Sequence, residues 1–319
     1  MESRHIRVPT LDDMTRHVAS AIKEHGIKVD ASRGRTQEIA GVLLELTNPR
    51  ARLSRSATRG KIFSALGELL WYLSGESDLE FIKHYIPNYT NHGDEYGAYG
   101  PRIFNLSGHN QFENVISLLR ERKTTRRANI QIFRSKDINK DRKDIPCTCN
   151  IQFMIRNGEM NTITYMRSND AYMGLVHDVF SFTMIQEIVA RILGVNVGSY
   201  LHNVGSLHLY ERNSEEVKKY MDEGWHSTEE AMPPMPEGDP RPSIKAMLEA
   251  ESEVRRKESL NHDVAEDKNL DDYWLDLIRL LQIYRYTKEN NLEGIERLGQ
   301  KLRSQVYSVF VDSAIRKVS

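Results

Sequence analysis

DIPCTCNIQFMIRNGEMNTITYMRSND, residues 144–170, alternates or runs apolar on both sides of Asn157-Gly158. An Asn-Gly pair is a strong two-residue hairpin signal, because both residues tolerate the positive φ of a turn whose twist matches the flanking strands. The stretch therefore predicts two antiparallel strands, C-N-I-Q-F-M-I (149–155) and N-T-I-T-Y-M-R (161–167). A-N-I-Q-I-F (128–133) before it and V-G-S-Y-L-H-N-V-G-S-L-H-L-Y (197–210) after it read as further extended segments.

Helical periods surround these strands. Leu11, Met14, Val18 and Ile22 recur at helical spacing between Thr10 and His25, and Ile62, Phe63, Leu66, Leu69, Leu70 and Leu73 mark a core helix over 61–73 that ends at Ser74-Gly75. Glu38–Leu46 suits a buried strand, preceded by D-A-S-R-G-R-T (30–36), a polar, turn-prone loop able to hold an anion. A Tyr- and Gly-rich loop is expected over 88–104, and helices over 111–122 and 180–193. Five of the ten prolines fall in 232–242, and two charged helical patterns follow at 243–260 and 270–315. The division expected is a catalytic domain over 1–230, a Pro-rich linker over 231–242 and a helical extension over 243–319. The fold class is α+β, with a mostly antiparallel or mixed core sheet flanked by helices.

Composition narrows the function classes. The 319 residues carry a formal net charge of −1 and are 39% hydrophobic, enough for a sizeable core and with no electrostatic case for a nucleic-acid partner. No apolar run reaches the roughly 20 residues of a membrane span, and the N-terminus lacks the apolar stretch of a signal peptide, so a cytoplasmic protein is expected. The two cysteines, Cys147 and Cys149, are too close for an ordinary disulfide and too few for a zinc site.

Chemistry concentrates near Cys147. A lone cysteine is more often a small buried hydrophobe, but here Arg126-Arg127 precede it and Arg167-Ser168 open the polar R-S-N-D motif, and cations beside a thiol favour its thiolate. Glu68, in A-L-G-E-L-L-W, has apolar neighbours throughout, so its carboxylate must be paired, protonated or functional. His208 and Tyr210 alternate on one strand face. His177-Asp178 is either a surface pair or part of a base-recognition site.

In this order, E-L-L-W-Y-L-S-G (68–75), Y-G (99–100), the double arginine, P-C (146–147), Gln152, R-S-N-D (167–170), G-L-V-H-D (174–178) and G-S-L-H-L-Y (205–210) resemble the thymidylate synthase superfamily from about Val29 to Asn213. The resemblance implies that Cys147 adds to C6 of a pyrimidine nucleoside monophosphate. It implies that Arg167, Ser168 and a partner subunit's double arginine bind the 5′-phosphate, in a homodimer with shared active sites. Arg33 or Arg35 would add a phosphate ligand from the N-terminal loop. Glu68 would organise water and protons, and His208 and Tyr210 would bind the sugar. Gln152, Asp170, Trp71, Tyr99 and Ser206 would support the site or face the folate, with 5,10-methylenetetrahydrofolate as carbon donor.

Departures from the synthase pattern point to the cytidylate/deoxycytidylate 5-hydroxymethylase branch. Val176-His177-Asp178 stands where synthases read P-F-N, Thr148 follows the cysteine where they have histidine, and Ser206 replaces a common aspartate. A carboxyl at Asp178 accepts from the N4 amino group of cytosine and, holding a proton, donates to N3. Thr148 and His177 are the other expected base-recognition residues. The sequence ends I-R-K-V-S rather than in a short apolar tail, which favours hydration over hydride transfer. The alternatives are a thymidylate synthase acting on dUMP and an inactive nucleotide-binding homologue.

Overall fold

The computed structural model describes residues 4–58, 60–89, 95–139 and 144–319. Strand β1 (His5–Val8) leads to helix α1 (Leu11–His25), where the Thr10 side chain accepts the Asp13 amide and satisfies one of the unpaired donors of the first turn. β2 (Ile27–Ala31) and β3 (Gly34–Leu46) form a hairpin. The segment expected as a loop at 30–36 is therefore two strand ends and a tight turn.

α2 (Ile62–Ser74) stops at Gly75, whose φ of +74° suits a residue without a side chain. α3 (Leu79–Tyr85) lies so close that a Cβ on Gly67 would come within 2.1 Å of the Tyr85 ring. α4 (Tyr99–Phe104) occupies the end of the expected 88–104 loop, whose residues 90–94 lie outside the described part. α5 (Gln111–Glu121), β4 (Asn129–Gln131), β5 (Thr148–Arg156) and β6 (Glu159–Asp170) follow, and the hairpin turn at Asn157 and Gly158 has both φ values positive, at +53° and +79°. α6 (Gly174–Leu193) starts six residues earlier than Phe180, because the polar His177-Asp178 pair interrupts the apolar pattern without interrupting the helix. The last strand is β7 (Asn196–Tyr210).

Together the strands form one mixed sheet in the order β1-β3-β7-β6-β5-β4, with β2 on β3. β1–β3 and β6–β7 are parallel and the other pairs antiparallel. Parallel neighbours need a long crossover, and α6 supplies it between β6 and β7 while packing on both.

Beyond the sheet come α7 (Ser214–Asp222), α8 (Arg241–Arg256), α9 (Asp272–Lys288), α10 (Leu292–Lys301) and α11 (Ser308–Val318). The pattern at 270–315 is thus three helices, interrupted at Asn290, with φ of +55°, and at Arg303-Ser304, whose amides donate to Asp276. The Pro-rich stretch is held against the body, with Met232 N–H on the Arg50 carbonyl at 2.9 Å and Met235 N–H on Glu187 Oε1 at 3.0 Å. Trp274, Leu277 and Leu281 join the same hydrophobic core as Leu66 and Leu70 of α2. Among the described residues no helix is long and apolar enough to cross a membrane.

Candidate active site

Cys147 immediately precedes β5, and Arg167 of β6 fixes its backbone. The guanidinium donates from Nε to the Pro146 carbonyl at 3.0 Å and from Nη2 to the Ile145 carbonyl at 2.9 Å, while the Arg167 amide donates to the Cys147 carbonyl at 2.8 Å. Next door, the Thr148 amide donates to Tyr99 Oη at 3.2 Å, Tyr99 stacks on Tyr72 with centroids 5.0 Å apart, and Tyr72 Oη donates to Glu68 Oε1 at 2.9 Å. Two aromatic rings therefore bridge the carboxylate of α2 to the edge of the cysteine strand.

Burial pushes the Cys147 thiol above its ordinary range; Arg167 and Arg33 oppose that, and Asp178 and Asp144 add to it. The sequence expectation of a thiolate favoured by nearby arginines is thus reversed in the free protein, because desolvation outweighs the cations.

Asp178 lies in the first turns of α6, not on a loop, and its Oδ2 accepts Asn169 Nδ2 at 2.7 Å. Burial above all, with the negative charge of Glu68 and a smaller push from Asp170, holds its carboxyl well above the usual carboxylate range, against the opposing Asn169 bond. A recessed carboxyl of this kind favours its protonated form, in which it can donate one hydrogen bond and accept others.

Two expected ligands are turned away. His177 has both ring nitrogens engaged, Nε2 with Ser64 Oγ at 2.9 Å and Nδ1 with the Met173 carbonyl at 3.0 Å, so it ties α6 to α2 instead of facing a base. Trp71 is 1% exposed, packed against Tyr72 and Tyr89, and has no surface for a folate. Thr148 is fully buried and meets the site through its backbone.

The remaining residues fall on the strand ends around Cys147 or at a distance from it. Ser168 is opposite Ser206 and Asp170 opposite His208 in the β6–β7 register. His208 meets Tyr210 edge to face at 5.1 Å, and Ser206 Oγ donates to Glu38 Oε2 at 2.6 Å. Asp170 Oδ1 accepts the amides of Tyr172 and Met173. The charge of Arg33 reaches Cys147 and Tyr210, whereas Arg35 pairs with Asp30 at 3.2 Å on the exposed hairpin. Arg126 and Arg127 are exposed, and Gln152 Nε2 donates to the Arg126 carbonyl at 2.9 Å. Gln152 is five residues beyond Cys147 along β5, roughly 17 Å at the usual strand rise.

A thymidylate synthase family model matches residues 17–236, more than half of the chain and every candidate residue above. This chain belongs to the thymidylate synthase family. Among curated relatives, the deoxyuridylate hydroxymethyltransferase of Bacillus phage SP01 is 34% identical over 212 residues, covering 60% of this chain and 55% of that protein. The deoxyuridylate hydroxymethyltransferase of Delftia phage PhiW-14 is 28% identical over 206 residues, covering 59% and 57%. The chain spans little more than half the length of these relatives. The family match ends before α8, so α8–α11 lie outside it.

Sequence reasoning missed Tyr72 and three buried polar residues behind Asp178, namely Asn169, Tyr200 and His202. Tyr200 and His202 stand at i and i+2 of β7, in the same phase as His208 and Tyr210, and that alternation was the available signal.

Proposed function

We propose that this thymidylate synthase family chain is a folate-dependent 5-hydroxymethyltransferase of pyrimidine nucleoside monophosphates, with cytosine the preferred base. The observation that carries the reading is the buried carboxyl of Asp178, held by Asn169 and set beside Cys147 and Glu68, where burial favours its protonated form. A neutral carboxyl offers the donor that N3 of cytosine needs and the acceptor that its N4 amino group needs. A second reading, a uracil nucleotide as substrate, is favoured by the names of the two phage relatives.

The Cys147 thiol gives up its proton and its sulfur adds to C6, which makes C5 an enamine-like nucleophile and divides a difficult substitution into easier steps. When bound, 5,10-methylenetetrahydrofolate supplies a carbon at the oxidation level of formaldehyde. Asp170 and the half-exposed Met173 beside it fit such a group, pairing an acceptor for pterin N–H donors with an apolar contact. C5 takes up the carbon and then loses its proton as tetrahydrofolate departs, leaving an exocyclic methylene; water adds there and the sulfur departs. Glu68, oriented by Tyr72, handles the water and protons. Arg167, Ser168 and Arg33 bind the 5′-phosphate, and His208 and Tyr210 the sugar. Arg126 and Arg127, which precede β4 and lie by Gln152 well away from their own Cys147, complete the site of a second copy in a homodimer.

The test is kcat/KM for CMP, dCMP, UMP and dUMP, with products identified by mass. Buried polar groups left unpaired cost roughly 1–3 kcal/mol, so the cytosine nucleotide should lead its sugar-matched uracil counterpart by about tenfold to a hundredfold. Equal or better turnover of the uracil nucleotide would overturn the base assignment.

A further inference from the structure

A neutral carboxyl can meet either pyrimidine, because one position of its proton complements cytosine and the other complements uracil. What fixes that position lies behind Asp178. Its Oδ2 accepts Asn169 Nδ2 at 2.7 Å, Asn169 Oδ1 meets His202 Nε2 at 3.0 Å, and His202 Nδ1 meets Tyr200 Oη at 2.8 Å. Tyr200 and His202 are fully buried and Asn169 is 3% exposed, between the sheet and α6, where apolar side chains would pack without any polar requirement.

The donors in this chain all point one way. With its amide N–H spent on Asp178, Asn169 has only its oxygen for His202, so His202 Nε2 must carry the hydrogen. Burial holds the His202 pKa down at about 3, so the ring is neutral and Nδ1 is an acceptor, which leaves Tyr200 to donate. Each hydrogen therefore points towards Asp178 Oδ2, and the carboxyl proton is left to Oδ1.

We propose that Tyr200 and His202 are positioning residues for base discrimination, acting through Asn169 to keep Asp178 Oδ2 an acceptor and to direct the carboxyl proton to Oδ1. The proposal rests on Asp178 being the base reader, but not on which base it prefers. Once the chain is broken, the Asn169 amide is released to turn over, the proton can occupy either oxygen, and both bases are accepted.

The experiment compares sugar-matched kcat/KM ratios for dCMP and dUMP in wild type, Tyr200→Phe, His202→Phe and His202→Gln. Tyr200→Phe should bring the ratio about threefold to tenfold closer to one, and His202→Phe at least tenfold. His202→Gln, whose Nε2–H replaces the lost donor, should stay within about threefold of wild type. A merely structural role would lower kcat/KM for both nucleotides together and leave the ratio unmoved, which would overturn the proposal. If His202→Phe does not fold, the near-isosteric Tyr200→Phe decides. A wild type that prefers dUMP removes the cytosine reading while the variants still test the chain. A wild type with no preference removes both.

Discussion

Helix α6 carries two carboxyls into the interior, and they are treated in opposite ways. Glu187 receives Arg52 on one oxygen and the Met235 amide on the other, with Arg52 and Glu187 both completely buried. Nine residues earlier, Asp178 accepts an amide hydrogen of Asn169 and has another carboxylate, Glu68, pressing on it electrostatically. The first arrangement is matched charge, which locks the Pro-rich stretch onto the body. The second is a deliberately unmatched acid. On a single helix the difference separates a group that holds the fold from one proposed to read a base.

The largest test of that contrast removes the proposed nucleophile. Cys147→Ala should lower turnover by roughly 10⁴-fold or more while thermal stability and nucleotide binding stay close to wild type. Cys149→Ala should remain active. Mixing inactive Cys147→Ala and Arg127→Ala chains under subunit exchange should restore part of the activity, and no recovery would remove the shared-site dimer.

A second test inverts the pattern. Glu187→Leu leaves the Arg52 guanidinium buried without its carboxylate and should cost about 3–5 kcal/mol in urea unfolding, with kcat little changed at a temperature where the variant is folded. A loss under about 1 kcal/mol would mean that the seam with the C-terminal segment is not held by this pair.

The smallest effect concerns the unmatched acid. A carboxyl whose folded pKa is raised binds more protons folded than unfolded, so its contribution to stability is complete below the unfolded value and is lost as pH rises towards the folded one. Asp178→Asn has no such proton to lose. It should gain stability relative to wild type as pH rises from about 4 to 8, reaching on the order of 1 kcal/mol, while activity falls. Parallel pH dependence of the two proteins would show that Asp178 is not strained in the fold.

Local signals carried much of this architecture. Thr10 with its apolar period marked α1, Gly75 marked the end of α2, and Asn157-Gly158 fixed the β5–β6 hairpin, because caps and turns act through neighbours in sequence. Non-local relations were illegible. The parallel pairing of β6 with β7, and the assembly of α8–α11 onto α2, depend on contacts that no short window contains. The site divides in the same way. Glu68 and Arg167 were visible as polar residues out of keeping with their surroundings and Cys147 through the arginines near it in sequence, whereas pattern alone left Asp178 open and only the departure from the synthase motif singled it out. The diversion of His177 to Ser64, and the burial of Trp71 among tyrosines, follow from where α2 comes to rest.

The antiparallel seam between β3 and β7, from Thr36–Tyr210 to Leu46–Tyr200, has a consequence for how the protein is made. A ribosome that has already released Arg33, Glu68 and Cys147 has yet to deliver the strand that joins β3 to β6, so the sheet that carries the site is not closed until about two thirds of the chain has been made. Until then β3 offers an open strand edge to any neighbouring chain, and such edges template aggregation. Truncation anywhere before residue 210 should therefore yield an insoluble product, not a smaller enzyme.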